Sequence, residues 1–317
     1  MSHFLVKRLL TSLPTLLAIL ALVFLLVNLA PGDPVDAYAP PGQSMSVEQK
    51  AVLRQQLGLD RPIPERFVIW IGQVARGDLG HRYKDGAPVL REIALRVPAT
   101  ALLTFSGLGL GAALGIALGL VGAARAGSRL DHLLSLLAYV GISSPAFLLG
   151  IVAMYVFSLA LGWFPSSGYE TPGDGSAGDV LRHLVLPASV LSIQFVAILM
   201  RYTRSSLLEV LNQDYMRTAR AKGLSPSRAL LRHAFPNALI PIVTVIGANF
   251  SALVGGAVFL ETVFSWPGLG TLFVDGIEAR DYPLVMGITL FMALAILVIN
   301  LVTDLIYAWI DPRISLH

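Results

Sequence analysis

The chain has no cysteine. That one absence excludes a disulfide framework, a thiolate metal centre and a cysteine nucleophile. Charge is scarce as well: 14% of the 317 residues are Asp, Glu, Lys or Arg, against about a quarter in a soluble domain. The only lysines are Lys7, Lys50, Lys84 and Lys222, and none stands in a GxxxxGK[ST] loop. The chain therefore has no P-loop with which to hydrolyse ATP. There is no HExxH zinc motif, and His3, His81, His132, His183, His233 and His317 all stand at ends or in loops. An intramembrane protease built on Ser143 or Ser144 would lack its base. Basic patches interleaved with aromatics are missing too, which excludes a nucleic-acid partner.

What is present is apolar. Hydrophobic residues make up 55% of the chain, and mean hydropathy is +0.70. The expected class is an all-α membrane protein with six transmembrane helices. The first run, Leu9 to Ala30, follows Lys7 and Arg8 and is longer than the apolar core of a signal peptide, so it reads as a retained span. Further spans are expected over Pro98–Ala124, Leu133–Leu161, Leu184–Met200, Ala238–Leu260 and Leu284–Ile310. The third is interrupted by Gly141-Ile142-Ser143-Ser144-Pro145, where proline frees a carbonyl that serine satisfies locally. That kink either lines a path or serves packing. In the second span Gly107, Gly111, Gly115 and Gly119 recur every four residues, a small-residue seam for close helix packing.

Residues 31–96 are polar, with nine basic and eight acidic side chains. Ser46 and Gln49 form a capping box for a helix that Gly58 closes. Pro62 and Pro64 introduce a second helix ending near Gly77, and Ala87 to Arg96 reads as a third amphipathic piece. The domain reading is 1–30 as first span, 31–96 as an external helical cap, 97–310 as the transmembrane core, and 311–317 as a short cytoplasmic tail. With both termini in the cytoplasm, the short inner segments hold twelve Lys or Arg and the two short outer loops hold two, the bias that the positive-inside rule requires.

Asp214 to Pro241 is the most basic stretch, overlapping a cytoplasmic loop over 207–236, with Arg217, Arg220, Lys222, Arg228 and Arg232 between two apolar runs. Asp214 is expected to cap a first short helix and Gly223 to end it. Ser225 then caps a second with Pro226 at its first position, and Pro236 is expected to stop it. Tyr215, Thr218, Ala219 and Lys222 fall on one face of the first helix. From spacing alone this is either a docking element or a basic loop lying on anionic lipid.

Ala219, Gly223 and Pro236 at this spacing resemble the cytoplasmic loop of binding-protein-dependent ABC import permeases, although Arg217 replaces the Glu that opens the general motif and Thr218 replaces its first Ala. LAPGDP, GISSPAF, LGWFPSSGY, RHLVLPA, ETVFSWPGLG, RDYP and DPRIS extend the resemblance over nearly the whole chain. They are similar to the B-type permease subunit of dipeptide, oligopeptide, glutathione and nickel importers. The resemblance implies a type I ABC importer permease fold in a bacterial inner membrane. It also implies a C-type second permease, two ATP-binding subunits that hold ATP and Mg, and an external substrate-binding protein. This chain would hold no cofactor and no metal of its own. The resemblance assigns ATPase coupling to Asp214, Tyr215, Arg217, Thr218, Ala219, Lys222, Gly223, Leu224 and Ser225.

Ser143, Gln194 and Asn249, polar at lipid depth, and Pro145 at the interruption are candidates for the translocation path, with interhelical hydrogen bonding as the alternative for the polar ones. Peptides are the expected substrate, with glutathione or a nickel complex as alternatives on the same machinery. The rival from another class is an ion-coupled carrier, for which Asp304 and Glu261 are the only acidic candidates near a span.

Overall fold

The Ser46–Gln49 box forms as expected. Ser46 Oγ accepts from Gln49 N–H at 3.2 Å, and Ser46 N–H donates to Gln49 Oε1 at 2.9 Å. Such local signals recur along a chain that is helical nearly throughout. The computed structural model describes residues 2–30, 32–35 and 45–310, with the side chains of 2–9, 220, 251–253 and 307–310 outside that description. The side chains of Lys7, Arg8, Arg220 and Ser251, together with Pro31 and the expected tail 311–317, therefore lie outside the described residues.

Two compact units result, one from Met1–Pro98 with Gly268–Val298, the other from Ala99–Pro267 with the stretch after Ile299. In the first, α1 (Ser2–Leu29), α2 (Val47–Gln56) and α3 (Ile63–Val74) are followed by the start of α4 (Val89–Ala124); α11 (Leu269–Glu278) and the first part of α12 (Tyr282–Ile310) complete it. Leu20 and Phe24 of α1 pack with Trp70, Met286 and Leu290. Val89 and Ile93 pack with Leu269, Leu272, Leu284 and Ile288. The third amphipathic piece leads directly into the second span, as expected: residues 89–96 are the opening turns of α4, which continues unbroken through Pro98. Pro98 lies in the interior of the helix, where it removes one backbone bond to the carbonyl four residues earlier without ending the helix.

Asp281, only 1% exposed, caps α12. Its carboxylate accepts from Leu284 N–H at 3.3 Å and from Tyr83 N–H at 3.0 Å, with Arg82 Nε at 3.8 Å. Burial pushes this carboxyl above the ordinary range, against the pull of those two amides and the arginine.

The second unit is built on α7 (Ala177–Leu211), flanked by α5 (Arg129–Ser143), α6 (Ala146–Ala153) and α10 (Phe235–Val263). The partner of the glycine seam is α7. A Cβ added at Gly107, Gly111, Gly115 or Gly119 would stand 2.8 Å or less from Leu191, Phe195, Leu199 or Thr203 respectively. Both series rise by four, so α4 and α7 run parallel with backbones in close approach. At the start of α7, Asp179 accepts from the Thr171 backbone and hydroxyl, and His183 Nδ1 lies 3.1 Å from Ser167 O. These two buried side chains organise the loop before the helix. Glu261, with no exposed surface, accepts from Thr100 Oγ1 at 2.6 Å.

Among the described residues five helices are long and apolar enough to cross a membrane, and a bent pair makes a sixth crossing if it counts as one span. There the expectation of one kinked span needs correction. Arg129–Ser143 and Ala146–Ala160 meet at 105°, a break rather than a kink. Pro145 cannot continue α5, and it disfavours helical backbone at Ser144, which is extended. Ser144 Oγ donates to Val140 O at 2.8 Å, so the serine does satisfy a freed carbonyl.

Arg204 of α7 forms two charge-assisted bonds, 2.6 and 2.8 Å, to Asp131 of α5, which is 2% exposed. Replacing Arg204 by Met leaves Asp131 as an uncompensated buried charge. Losing one partner of a buried pair costs about 3–5 kcal/mol. The Arg204 side chain is itself 30% exposed, so the lower end, about 3 kcal/mol, is expected. A thermal melt in detergent should show the loss, and the double change Asp131→Leu with Arg204→Leu should recover most of it.

Candidate functional site

The basic stretch leaves α7 at Leu211 and forms α8 (Asp214–Ala221) and α9 (Pro226–Ala229). Asp214 is the first helical residue and not the cap. The amides of Met216 and Arg217 point back to Gln213 O at 3.0 and 3.4 Å, which makes Gln213 the cap. The exposed Asp214 carboxylate lies 3.7 Å from Arg217 instead, a solvated pair of small energetic weight.

Gly223 ends α8 as expected. Its φ is +85°, and Leu224 N–H reaches Ala219 O at 3.4 Å, a Schellman-type closure that demands a left-handed residue. Ser225 does occupy the cap position of α9, with Pro226 first in the helix, but its hydroxyl makes no capping bond. Pro236 does not stop the helix. A π-helical turn over Leu230–Ala234 carries α9 directly into α10. The wider turn takes up the misfit between the proline ring and the carbonyl four residues earlier.

Anchoring and presentation divide cleanly by residue. Met216, Ala229 and Ala234 have no exposed surface, and with Leu230 they join the core around Leu199 and Leu207. Tyr215 is 47% exposed, and Thr218, Lys222, Gly223 and Ser225 are exposed as well, with Ala219 and Leu224 half-buried. The face bearing Tyr215, Thr218, Ala219 and Lys222 is thus held outward on a rigid base.

The candidate path residues separate. Gln194 Nε2 donates to Ser144 O at 2.9 Å, tying α7 to the break beside the exposed Ser143 and Pro145. Asn249 bonds only within its own helix, Nδ2 to Val245 O at 2.8 Å, and no hydrogen bond among the described residues links it to the break. One feature escaped sequence reasoning. A cleft of about 440 Å³ between α5 and α7 is lined by Ser135, Tyr139, Arg201, Tyr202 and Ser205. Arg201 stands 4.7 Å from the Tyr139 ring centre. In the sequence Arg201 reads only as a topological charge; its pairing with a tyrosine 62 positions away depends on how α5 packs on α7.

Residues 111–316 match the family described as "Binding-protein-dependent transport system inner membrane component", and residues 1–104 match the N-terminal region of the same membrane components. The chain belongs to this permease family. Relatives agree over their full lengths. A Brucella suis protein named as a peptide permease is 48% identical across 99% of both chains. The glutathione transport system permease protein GsiC of Pectobacterium atrosepticum is 42% identical across 99% of both. The oligopeptide transport system permease protein AppB of Bacillus subtilis is 39% identical across 99% of this chain and 100% of its own. Among solved structures, an inward-facing MetNI methionine ABC transporter chain aligns with a TM-score of 0.55 at 18% identity, covering 70% of this chain and 97% of that one. That likeness shows the fold alone.

The permease is therefore a multi-pass inner-membrane subunit of an ABC importer and a transport protein, not an enzyme. Membership implies ATP-hydrolysing partners, a substrate-binding partner and a second permease.

Proposed function

We propose that this permease moves di- and oligopeptides, handed over by an external binding protein, through a path shared with a homologous C-type permease. Two ATPase subunits hold ATP and Mg and dock on the 207–236 loop. Asp214, Tyr215, Arg217, Thr218, Ala219, Lys222, Gly223, Leu224 and Ser225 form or shape the docking surface. The observation that carries this is the small, outward face of α8 fixed on a base with no exposed surface at Met216, Ala229 and Ala234. Such an element transmits a push instead of absorbing it, so closure of the ATPases would move the spans between outward- and inward-open states.

The peptide reading is supported by the relative named as a peptide permease at 48% identity. Glutathione, itself a tripeptide, is the second reading, favoured by the GsiC relatives at 42%. A nickel complex is a third. The proposed topology keeps both termini cytoplasmic, with 31–96 as an external cap, 97–310 as the core and 311–317 as the tail.

Ser143, Pro145 and Gln194 at the break, and Asn249 in α10, are the proposed path residues. Gln194→Leu would strip a partner from Ser144 O and remove a polar group from the path, so a fall in uptake of about tenfold is expected. Wild-type uptake by an assembled Gln194→Leu complex would remove it from the path.

The deciding experiment purifies the tagged chain gently from its native membrane and reconstitutes it. Recovery of two P-loop ATPases and a second permease, with ATP-dependent dipeptide uptake that excess glutathione leaves unchanged, is the expected result. Uptake abolished by glutathione would favour the second reading. Recovery of the chain without any ATPase would overturn the scheme.

A further inference from the structure

A cavity of about 680 Å³ lies within the first unit, with walls from α1, α3, the turn over 81–86 and the start of α12. Its ionisable lining is Arg61, Arg66, His81 and Arg82 together with Tyr83 and Tyr282, without a carboxylate. Two of the three arginines are matched from outside the cavity. Arg61 meets Glu65 at 3.3 Å, and Arg82 meets Asp85 at 3.1 Å and Glu92 at 3.4 Å. Arg66 is the remainder. Among the described residues no carboxylate pairs with it, and its guanidinium sits 5.9 Å from the ring centre of Phe24. Burial draws its pKa down, with Tyr83 and Tyr282 nearby.

One donor in the same walls is idle. Trp70 is 8% exposed, and its indole Nε1 has no hydrogen-bond partner; Arg82 Nε has no hydrogen bond either, but faces the Asp281 carboxylate at 3.8 Å. Buried N–H groups are paired in the great majority of native structures, and a half-buried cation such as Arg66 is stabilised by a counter-charge or strong acceptors. A site offering a guanidinium without a carboxylate partner and an idle indole N–H, with no carboxylate in its lining, is complementary to an oxyanion. A metal cation would meet only like charge there.

Depth narrows the class. The apolar stretch of α1 ends at Leu29 and that of α12 begins at Tyr282. Phe24 is five residues from the first end, and Tyr282 is the second end itself, so the cavity stands where the spans meet the headgroup layer. Aromatic and arginine side chains favour that layer, where apolar walls meet lipid tails and donors meet phosphates.

We propose that this cavity binds a phosphate oxyanion, with Arg66 as its charge partner and Trp70 Nε1–H as a second donor. An anionic phospholipid headgroup or free inorganic phosphate would supply the same chemistry. The location at the span ends favours the lipid, whose chains would run down beside Phe24 and Met286.

The test uses the assembled importer in nanodiscs of phosphatidylcholine with and without phosphatidylglycerol, read by native mass spectrometry and thermal midpoint. Wild type is expected to retain phosphatidylglycerol and to melt higher in its presence. Arg66→Gln should weaken retention about tenfold or more, the fold-change expected for one charge-assisted bond. Arg66→Lys should restore part of it. Trp70→Phe, which preserves the packing and removes only the donor, should give a smaller loss and stands in should Arg66→Gln fail to assemble. Arg201→Gln, a cation in the other unit, should change nothing.

A parallel arm in lipid-free detergent titrates inorganic phosphate. Stabilisation there with the same variant dependence, and no phosphatidylglycerol effect, would keep the oxyanion site and assign it to free phosphate. Wild-type retention by both Arg66→Gln and Trp70→Phe, or equal loss in Arg201→Gln, would overturn the proposal.

Discussion

Valine at position 223 is expected to uncouple the importer while leaving its spans folded. Gly223 holds φ at +85°. An ordinary residue forced there loses about 1–2 kcal/mol, and a β-branched one more. The effect is one of backbone alone, because a Cβ built at Gly223 meets nothing within 4 Å. The chain would relieve the strain by letting α8 run on, at the expense of the Leu224–Ala219 closure. The face carrying Tyr215, Thr218 and Lys222 would then rotate away from its base. Since about 1.4 kcal/mol corresponds to a factor of ten in affinity, we expect ATPase co-purification and ATP-driven uptake to fall about tenfold or more. Gly223→Asn separates the causes, since asparagine tolerates the left-handed region and should retain most of the activity. A Gly223→Val complex that keeps its ATPases and transports normally would refute the assignment of coupling to 207–236.

The other large effect belongs to the glycine seam. At Gly119 an added Cβ would stand 2.5 Å from Thr203 Cβ and 2.9 Å from the backbone oxygen of Met200. Neither atom can rotate aside, so Gly119→Val must push α4 away from α7. Overpacking of this kind costs about 1–3 kcal/mol where side chains yield, and more where the obstacle is backbone. We expect loss of most folded protein at membrane level. Gly109 lies on the same helix with nothing within 4 Å of an added Cβ, so Gly109→Val should fold with wild-type yield. Gly111→Val, whose obstacle is the Phe195 ring at 2.5 Å, should be partly rescued by Phe195→Ala. If Gly109→Val and Gly119→Val fold equally well, the parallel α4–α7 seam is wrong.

The places where sequence reasoning fell short share a physical character. Proline at 236 is a helix stop by local rules, yet a π turn over Leu230–Ala234 absorbs it. That turn survives because Leu230 and Ala234 are buried in the core, a stabilisation that no local window contains. Asp214 has the chemistry of a cap, but Gln213 O receives the first helical amides, a difference of one residue that propensity cannot resolve. The GISSP stretch announces a disturbance. Its 105° angle is not legible there, nor is Gln194, fifty positions away, donating to the carbonyl of Ser144. The cavity beside Arg66 gathers residues from 24 to 286, none of which is unusual alone.

The sequence by itself determined the class of this protein, the number of its apolar runs, the Ser46–Gln49 box, the left-handed stop at Gly223 and the presence of a close-packing glycine face. Each of these is written in neighbouring residues, as hydropathy over a span, a capping pair or a period of four. Only the packing of distant elements settles which helix that face meets, how sharply the Arg129–Ala160 pair breaks, which side of the basic stretch is anchored and which cavity arginine has no carboxylate partner among the described residues. Those outcomes depend on contacts between residues tens to hundreds of positions apart, where the excluded volume of one helix and the unpaired donors of another settle what local preference leaves open.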